Sequence, residues 1–239
     1  MAHASAKAHQ AVQPHKSILR WTIQITGELL ITVGLVLLLF VVWQLWWTNI
    51  DANRSQSQAV DSLTHEFSSA APVEQWDPQN PPEPEAEPEH GKGFGVVYIP
   101  RFGADYQRPT AQGTSADVID TLGLGHYDGT AMPGGVGNFA LAGHRQTRGA
   151  VLDYIDKLQV GDHIYVRTKD GYYTYTVYEH VIVQPDNIEV IEPVPSKPGQ
   201  EPTERIMTLT TCHPRYGDTE RYIVRSEERR VGKECRIGC

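Results

Sequence analysis

Basic charge is in short supply. The chain carries 21 Lys and Arg against 29 Asp and Glu, a formal net charge of -8. It therefore lacks the positive footprint that a phosphate backbone requires, and no nucleic-acid partner is expected. Cysteine is scarcer still: Cys212, Cys235 and Cys239 form no C-x-x-C pair, no zinc pattern and no disulfide framework. The glycines at Gly123, Gly125, Gly134, Gly135 and Gly137 make neither a G-x-G-x-x-G nor a phosphate loop, and there is no internal repeat. No cofactor and no metal site are expected. These absences leave one isolated thiol, Cys212, available for chemistry.

Hydrophobic residues make up 40% of the chain but are unevenly spread. Leu29 to Trp47 is almost wholly apolar, with Gln44 its only strongly polar member. Extended over residues 23–50, the run is long enough to cross a hydrocarbon core of about 30 Å. Trp43, Trp46 and Trp47 cluster where amphipathic rings meet headgroups. Lys7, Lys16 and Arg20 precede the run and Asp51 follows it, which assigns residues 1–22 to a cytoplasmic tail and the rest to the extracytoplasmic side. A cleaved signal peptide would have a shorter apolar core and a small-x-small site, so an uncleaved anchor is expected.

Residues 51–90 read as an acidic linker rich in Pro and Glu. From Asp51 to Glu89 there are nine acidic residues and one basic residue, Arg54, so the acidity of the molecule belongs to this segment. Proline at this density predicts an extended, self-repelling spacer without a continuous helix. Trp76 is its one large aromatic, read as an unpaired linker residue.

The folded domain is expected over residues 91–224. Val96 to Ile99 reads as a strand closed by Pro100, Ser115 to Leu122 as one or two helical turns, Asn138 to Ala142 as a buried strand, and Ala150 to Leu158 as a short helix. HIYVRT and GYYTYTVYEHVIVQ are two strands joined at Lys169-Asp170-Gly171, and ERIMTLTTC and ERYIV follow. Alternating β-branched and aromatic residues with little helix predict a mainly β, antiparallel sheet closed into a barrel.

Three features carry chemistry: His144 in LAGHRQT, Cys212 at the end of TLTTC, and Arg221 in DTERYIV. The strand over residues 206–211 places Cys212 at its exit. The HPRYGDT loop leaves Arg221 at the start of the partner strand, beside Cys212 across the ladder. Thiols are poor nucleophiles at neutral pH unless an imidazole or guanidinium favours the thiolate. A His, a Cys and an Arg at strand ends would supply acid/base, nucleophile and oxyanion support. By residue type alone an inert buried cysteine, a structural histidine and a salt-bridged arginine stay open. Thr211 reads as loop support, substrate contact or a plain strand residue, and His213 as a loop residue.

The segments GHYDGTAMPGGVGNFALAGHRQTRGA and TLTTCHPRYGDTERYIV resemble the sortases, cysteine transpeptidases that anchor proteins to Gram-positive cell walls. Their wording is most similar to the class E sortases of actinobacteria, and Thr208 to Cys212 meets the TLxTC signature in full. The resemblance implies an eight-stranded sortase barrel with Cys212 as nucleophile, His144 as the family histidine and Arg221 as the family arginine. It also implies secreted substrates with a C-terminal sorting signal, LAxTG rather than LPxTG, and a peptidoglycan precursor amine as acceptor. Calcium serves only some members, and no compact carboxylate cluster supports it here.

Residues 225–239, starting RSEERRVGKEC, are charged and without strand alternation, and resemble an in-frame adapter translation. On this reading the last strand is cut short after Val224. Rival readings are an L,D-transpeptidase-like enzyme, from whose tighter His…Ser-x-Gly-Cys pattern TLTTC departs, and a papain-like protease, whose cysteine lies early in the domain. An inactive membrane-tethered scaffold with a sortase-like barrel is the non-enzymatic alternative.

Overall fold

The computed structural model describes residues 18–69 and 84–228. Trp76, Cys235 and Cys239 lie outside the described residues. The chain divides into two compact units, Met1–Leu45 and Trp46–Cys239.

One helix, α1 (Ile18–Ser69), runs through both. Over residues 29–43 its side chains are apolar on every face apart from Thr32, and they are exposed, as at Leu29, Leu37 and Phe40. A helix apolar on every side has no polar face to offer water. By length and composition it can cross a membrane, with a mean hydropathy of 2.5 over its most apolar stretch.

The expected linker is corrected in its first half: α1 continues unbroken to Ser69. Every proline of the segment lies at Pro72 or later, so nothing interrupts helical hydrogen bonding before that point. Ala52, Gln56, Val60 and Leu63 are buried, and Phe67 is partly buried against the same cluster. These positions are three or four residues apart, one face of a helix. Val60 and Leu63 pack on Val96, while Arg167 lies over the Phe67 ring and bonds Ser68. The stripe is narrow and holds a glutamine, and it stands among acidic, Ser-rich neighbours, which is why composition hid it. The other end of the segment is also pinned to the domain: Glu85 pairs with Lys169 at 3.0 Å, and Glu87 accepts from Gln112 and from the Gly129 N–H.

The second unit is built on eight strands: β1 (Gly93–Tyr98), β2 (Gln107–Gln112), β3 (Leu124–His126), β4 (Gly137–Ala142), β5 (His163–Thr168), β6 (Gly171–Val183), β7 (Arg205–His213) and β8 (Glu220–Glu228). They close into a barrel in the order β1-β2-β3-β4-β7-β8-β6-β5. Closure satisfies every strand edge. The β5–β6 hairpin forms at the expected place, with Thr168 opposite Gly171, whose φ of 144° favours glycine. A short helix, α2 (Ala116–Ile119), links β2 to β3, with Ser115 at its N-cap.

The sheet is mixed rather than antiparallel throughout, because β2–β3 and β4–β7 pair in parallel. The β4–β7 pair joins strands separated by the whole β5–β6 hairpin, a long-range pairing that local alternation does not encode. The expected helix over residues 150–158 is instead a run of turns with one 3-10 turn, Ile155–Lys157. Ala150 has φ 44°, outside helical space, and Val151, Leu152 and Ile155 are drawn into the core with Phe139, Leu141 and Tyr175.

The expected strand end at Val224 is likewise corrected. β8 runs on to Glu228, with Glu227 opposite Ile206 and Glu228 opposite Tyr175, so residues 225–228 help to seal the barrel. Arg225 is buried, bonding Glu179 at 2.7 Å and the Ser196 hydroxyl at 2.6 Å. Ser226 is fully buried and donates to the Met207 carbonyl. The charged wording of RSEE concealed a strand whose arginine is neutralised by an ion pair.

His126, at the end of β3, is wholly buried and bonded to Gln112, Thr130 and the Ala131 carbonyl. Burial pushes its imidazole below the ordinary value, opposed by the Ala131 carbonyl and the charges of Glu87 and Asp128. The unfolded chain therefore binds a proton at this residue before the folded one does, and this contribution to stability falls as pH drops below about 6.5. The melting temperature is expected to fall between about pH 7 and pH 5.5 more steeply in the wild type than in His126→Gln. Calorimetry of the two proteins checks this, and equal slopes would refute it.

Candidate active site

The TLTTC stretch lies wholly on β7, which runs between β4 and β8. Met207 and Leu209 enter the core, whereas the threonines each bond a neighbouring element. Thr208 donates to Asn138 at 2.7 Å, and Asn138 in turn holds the carbonyls of Val190 and Glu192. Thr210 meets the Tyr127 hydroxyl at 3.0 Å, and Thr211 donates to the Gly143 carbonyl at 2.7 Å. Residues 206–211 are buried and Cys212 is half-buried, so the thiol stands where the strand leaves the core. Cys212 is a free thiol.

Arg221 lies directly opposite Cys212 in the β7–β8 register, as expected from the loop length. One of its guanidinium nitrogens donates to the carbonyls of Asp218 and Glu220, at 2.8 and 3.0 Å, which fixes the group at the strand entrance. His144 reaches the same rim from the other side. β4 and β7 are parallel with Ala142 opposite Thr210, and the Gly143 N–H bonds the Thr210 carbonyl at 3.1 Å. β4 ends at Ala142, and His144 lies two residues beyond that end, as Cys212 lies two residues beyond Thr210. The Thr211 hydroxyl ties the residue before the thiol to the residue before the histidine.

Two charged residues of this region were not legible in the sequence. Asp120 lies 2.7 Å from the His144 Nε2 and 3.4 Å from the Arg148 Nε. It stands on the β2–β3 connection, and no spacing signal links it to His144. Arg145 follows the histidine directly yet is buried, against the usual preference of arginine. It donates to the His213 Nδ1 at 2.8 Å, reaches the Cys212 carbonyl at 3.5 Å, pairs with Asp156 at 3.4 Å and stacks on Tyr222. Because Arg145 can only donate, His213 Nδ1 is the acceptor in this contact. His213 is thus the last residue of β7, paired with Glu220, which corrects its reading as a loop residue, and its ring lies against Arg145 and Tyr222.

The thiol near the end of β7 thus has an arginine opposite it in register on β8 and a histidine just past the end of β4, the residue types that acyl thioester chemistry uses. The family model of the sortase domain matches residues 97–229. Sortase SrtE1 of Streptomyces coelicolor is 40% identical over 205 residues, 83% of this chain and 54% of that protein, so the chain spans about half the length of that relative. Sortase SrtE2 of the same organism is 33% identical over 88% of this chain and 83% of its own length. Sortase E from Streptomyces avermitilis superposes with a TM-score of 0.53 at 41% identity, covering 59% of this chain and 91% of that one. The SrtA sortase from Actinomyces oris gives 0.59 at 39%, covering 62% and 86%. Barrel, thiol position and these likenesses agree: the chain belongs to the sortase family and is related to the actinobacterial class E sortases.

Proposed function

We propose that the protein is a membrane-associated cysteine transpeptidase that cleaves an LAxTG- or LPxTG-like sorting signal between Thr and Gly and joins the protein to a cell-wall peptide amine. The observation that carries this is the placement of Cys212 between Arg221, opposite it in register, and the β4 exit that bears His144. The Cys212 sulfur attacks the Thr carbonyl carbon, and the negative charge that develops on oxygen is met by N–H donors of Arg221. The C–N bond then breaks as His144 gives a proton to the leaving glycine amine. The thioester is resolved when an acceptor amine attacks the same carbon, the sulfur leaves, and His144 takes up a proton from that amine. Asp120 orients the histidine through its Nε2. Lys7, Lys16 and Arg20 before the apolar run favour a cytoplasmic N-terminus and an extracytoplasmic barrel, where secreted clients and peptidoglycan precursors are found.

The test is mass spectrometry of an LAxTG peptide incubated with the full chain and a peptide amine. The expected product is the Thr-terminated fragment joined to the amine, with release of the Gly-terminated fragment. The hydrolysed acid alone would refute the acceptor assignment, and an intact peptide with folded protein would refute the reaction.

A further inference from the structure

The docking face of α1 carries a polar residue where packing alone asks for none. Gln56 is 1% exposed and sits between Ala52 and Val60 on the buried stripe. Its side chain lies against two glycines: a Cβ on Gly149 would stand 2.6 Å from Gln56 Nε2, and one on Gly123 would stand 3.2 Å from Gln56 Cδ. The Gln56 amide donates to the Arg148 carbonyl at 3.2 Å, and Asn49, two helical turns earlier, accepts from the Gly149 N–H at 3.0 Å. Both contacts fall on one loop, the segment that follows His144.

That loop has an uncommon backbone. Thr147, Arg148, Gly149 and Ala150 have φ of 59°, 48°, 87° and 44°, a left-handed run in which only one residue is glycine. A β-branched residue at positive φ persists only where its surroundings over-determine it. Within the loop, the Ala150 N–H bonds the Thr147 carbonyl at 2.7 Å, and the loop is closed by the Leu152 N–H on the His144 carbonyl at 2.9 Å. Its shape therefore bears directly on the His144 backbone. A second route runs through side chains, from Arg148 to Asp120 at 3.4 Å and from Asp120 to His144 at 2.7 Å.

We infer that Asn49 and Gln56 of the helix are positioning residues for the active site: they hold loop 145–150 in its left-handed form and through it set the orientation of His144. The inference rests on the catalytic reading of His144. The helix beyond the apolar run is then part of the enzyme rather than a spacer, and a helix face lacking these two side chains would still dock without holding the histidine. Displacing a catalytic group by about 1 Å can cost on the order of a hundredfold in rate, so loss of the clamp should appear in kcat more than in KM.

The test uses the full chain in lipid nanodiscs with four variants. Gln56→Met keeps the length and apolar contact but has no donor, Asn49→Leu has no acceptor, Asn49→Asp restores one, and Leu63→Ala loosens the same face away from the loop. Hydrogen exchange at the Gly149 amide should quicken in Asn49→Leu and in Gln56→Met, and stay slow in Asn49→Asp and Leu63→Ala. With an LAxTG peptide, kcat should fall roughly ten- to a hundredfold in the first two at a KM within about twofold of wild type. It should be largely retained in the other two. Unchanged exchange in Asn49→Leu and Gln56→Met, faster exchange without loss of kcat, or an equal loss in Leu63→Ala would each overturn the proposal. A wild type that turns over no sorting peptide would refute the functional reading instead, and the exchange comparison then decides whether the helix holds the loop.

Discussion

Cys212→Ala is expected to lower thioester formation and amine transfer by at least about a thousandfold while leaving the barrel folded. The size follows from the chemistry: without the sulfur no acyl-enzyme can form, and what remains is the acceleration that binding and charge support give to attack by water. Folding should survive because the thiol is half-buried at the strand exit, whereas the adjoining residues 206–211 supply the packing. Thr208, Thr210 and Thr211 keep their bonds to Asn138, Tyr127 and Gly143 whether or not the sulfur is present. Removal of one small side chain at such a site leaves little cavity, so the change in stability should stay within about 1 kcal/mol. Peptide cleavage rates and thermal melts of the two proteins check both halves. Cleavage within tenfold of wild type would remove Cys212 from the mechanism. A melt lowered by many degrees would show instead that the sulfur is a core group.

The second large effect is expected at Arg221. Arg221→Met, similar in length and uncharged, should lower kcat by about 10²- to 10³-fold with a smaller change in KM, the cost found when an oxyanion donor is lost. The guanidinium is held in place by the carbonyls of Asp218 and Glu220, so its donors are pre-aimed and need no reorganisation when charge develops. Arg221→Lys should recover only part of the rate, because an ammonium on a flexible stem cannot bond both loop carbonyls in the same plane and still present a fixed donor to the substrate. Steady-state kinetics decide this. A rise in KM with kcat unchanged would place Arg221 in substrate binding rather than in transition-state support.

The site was legible in the sequence to the extent that it depends on short-range spacing. Arg221 lies nine positions on from Cys212, a length that fits a strand end, a loop and a strand start, and the register pairs them. The strand over residues 206–211 and the hairpin at Lys169-Asp170-Gly171 likewise follow from local composition and turn chemistry. Features that depend on distant partners did not show. Asp120 meets His144 only because α2 brings the β2–β3 connection to the rim, and Arg145 is tolerated inside only because His213, Asp156 and Tyr222 surround it. The helical stripe from Ala52 to Phe67 was masked by charged and small polar neighbours, and residues 225–228 by their own charge.

The sequence by itself determined the periodic and the local: an apolar run able to span a membrane, strands that alternate, a hairpin at Lys169-Asp170-Gly171, and a thiol, an imidazole and a guanidinium in a recognisable wording. The tertiary structure alone decided which ends share a rim. Parallel pairing of β4 with β7 puts the His144 exit and the Cys212 exit at the same edge of the barrel, and an antiparallel pairing would have sent them to opposite edges. Such a pairing is chosen by the closure of the whole barrel, in which every strand edge must find a partner, and that condition is met only when all eight strands are in place.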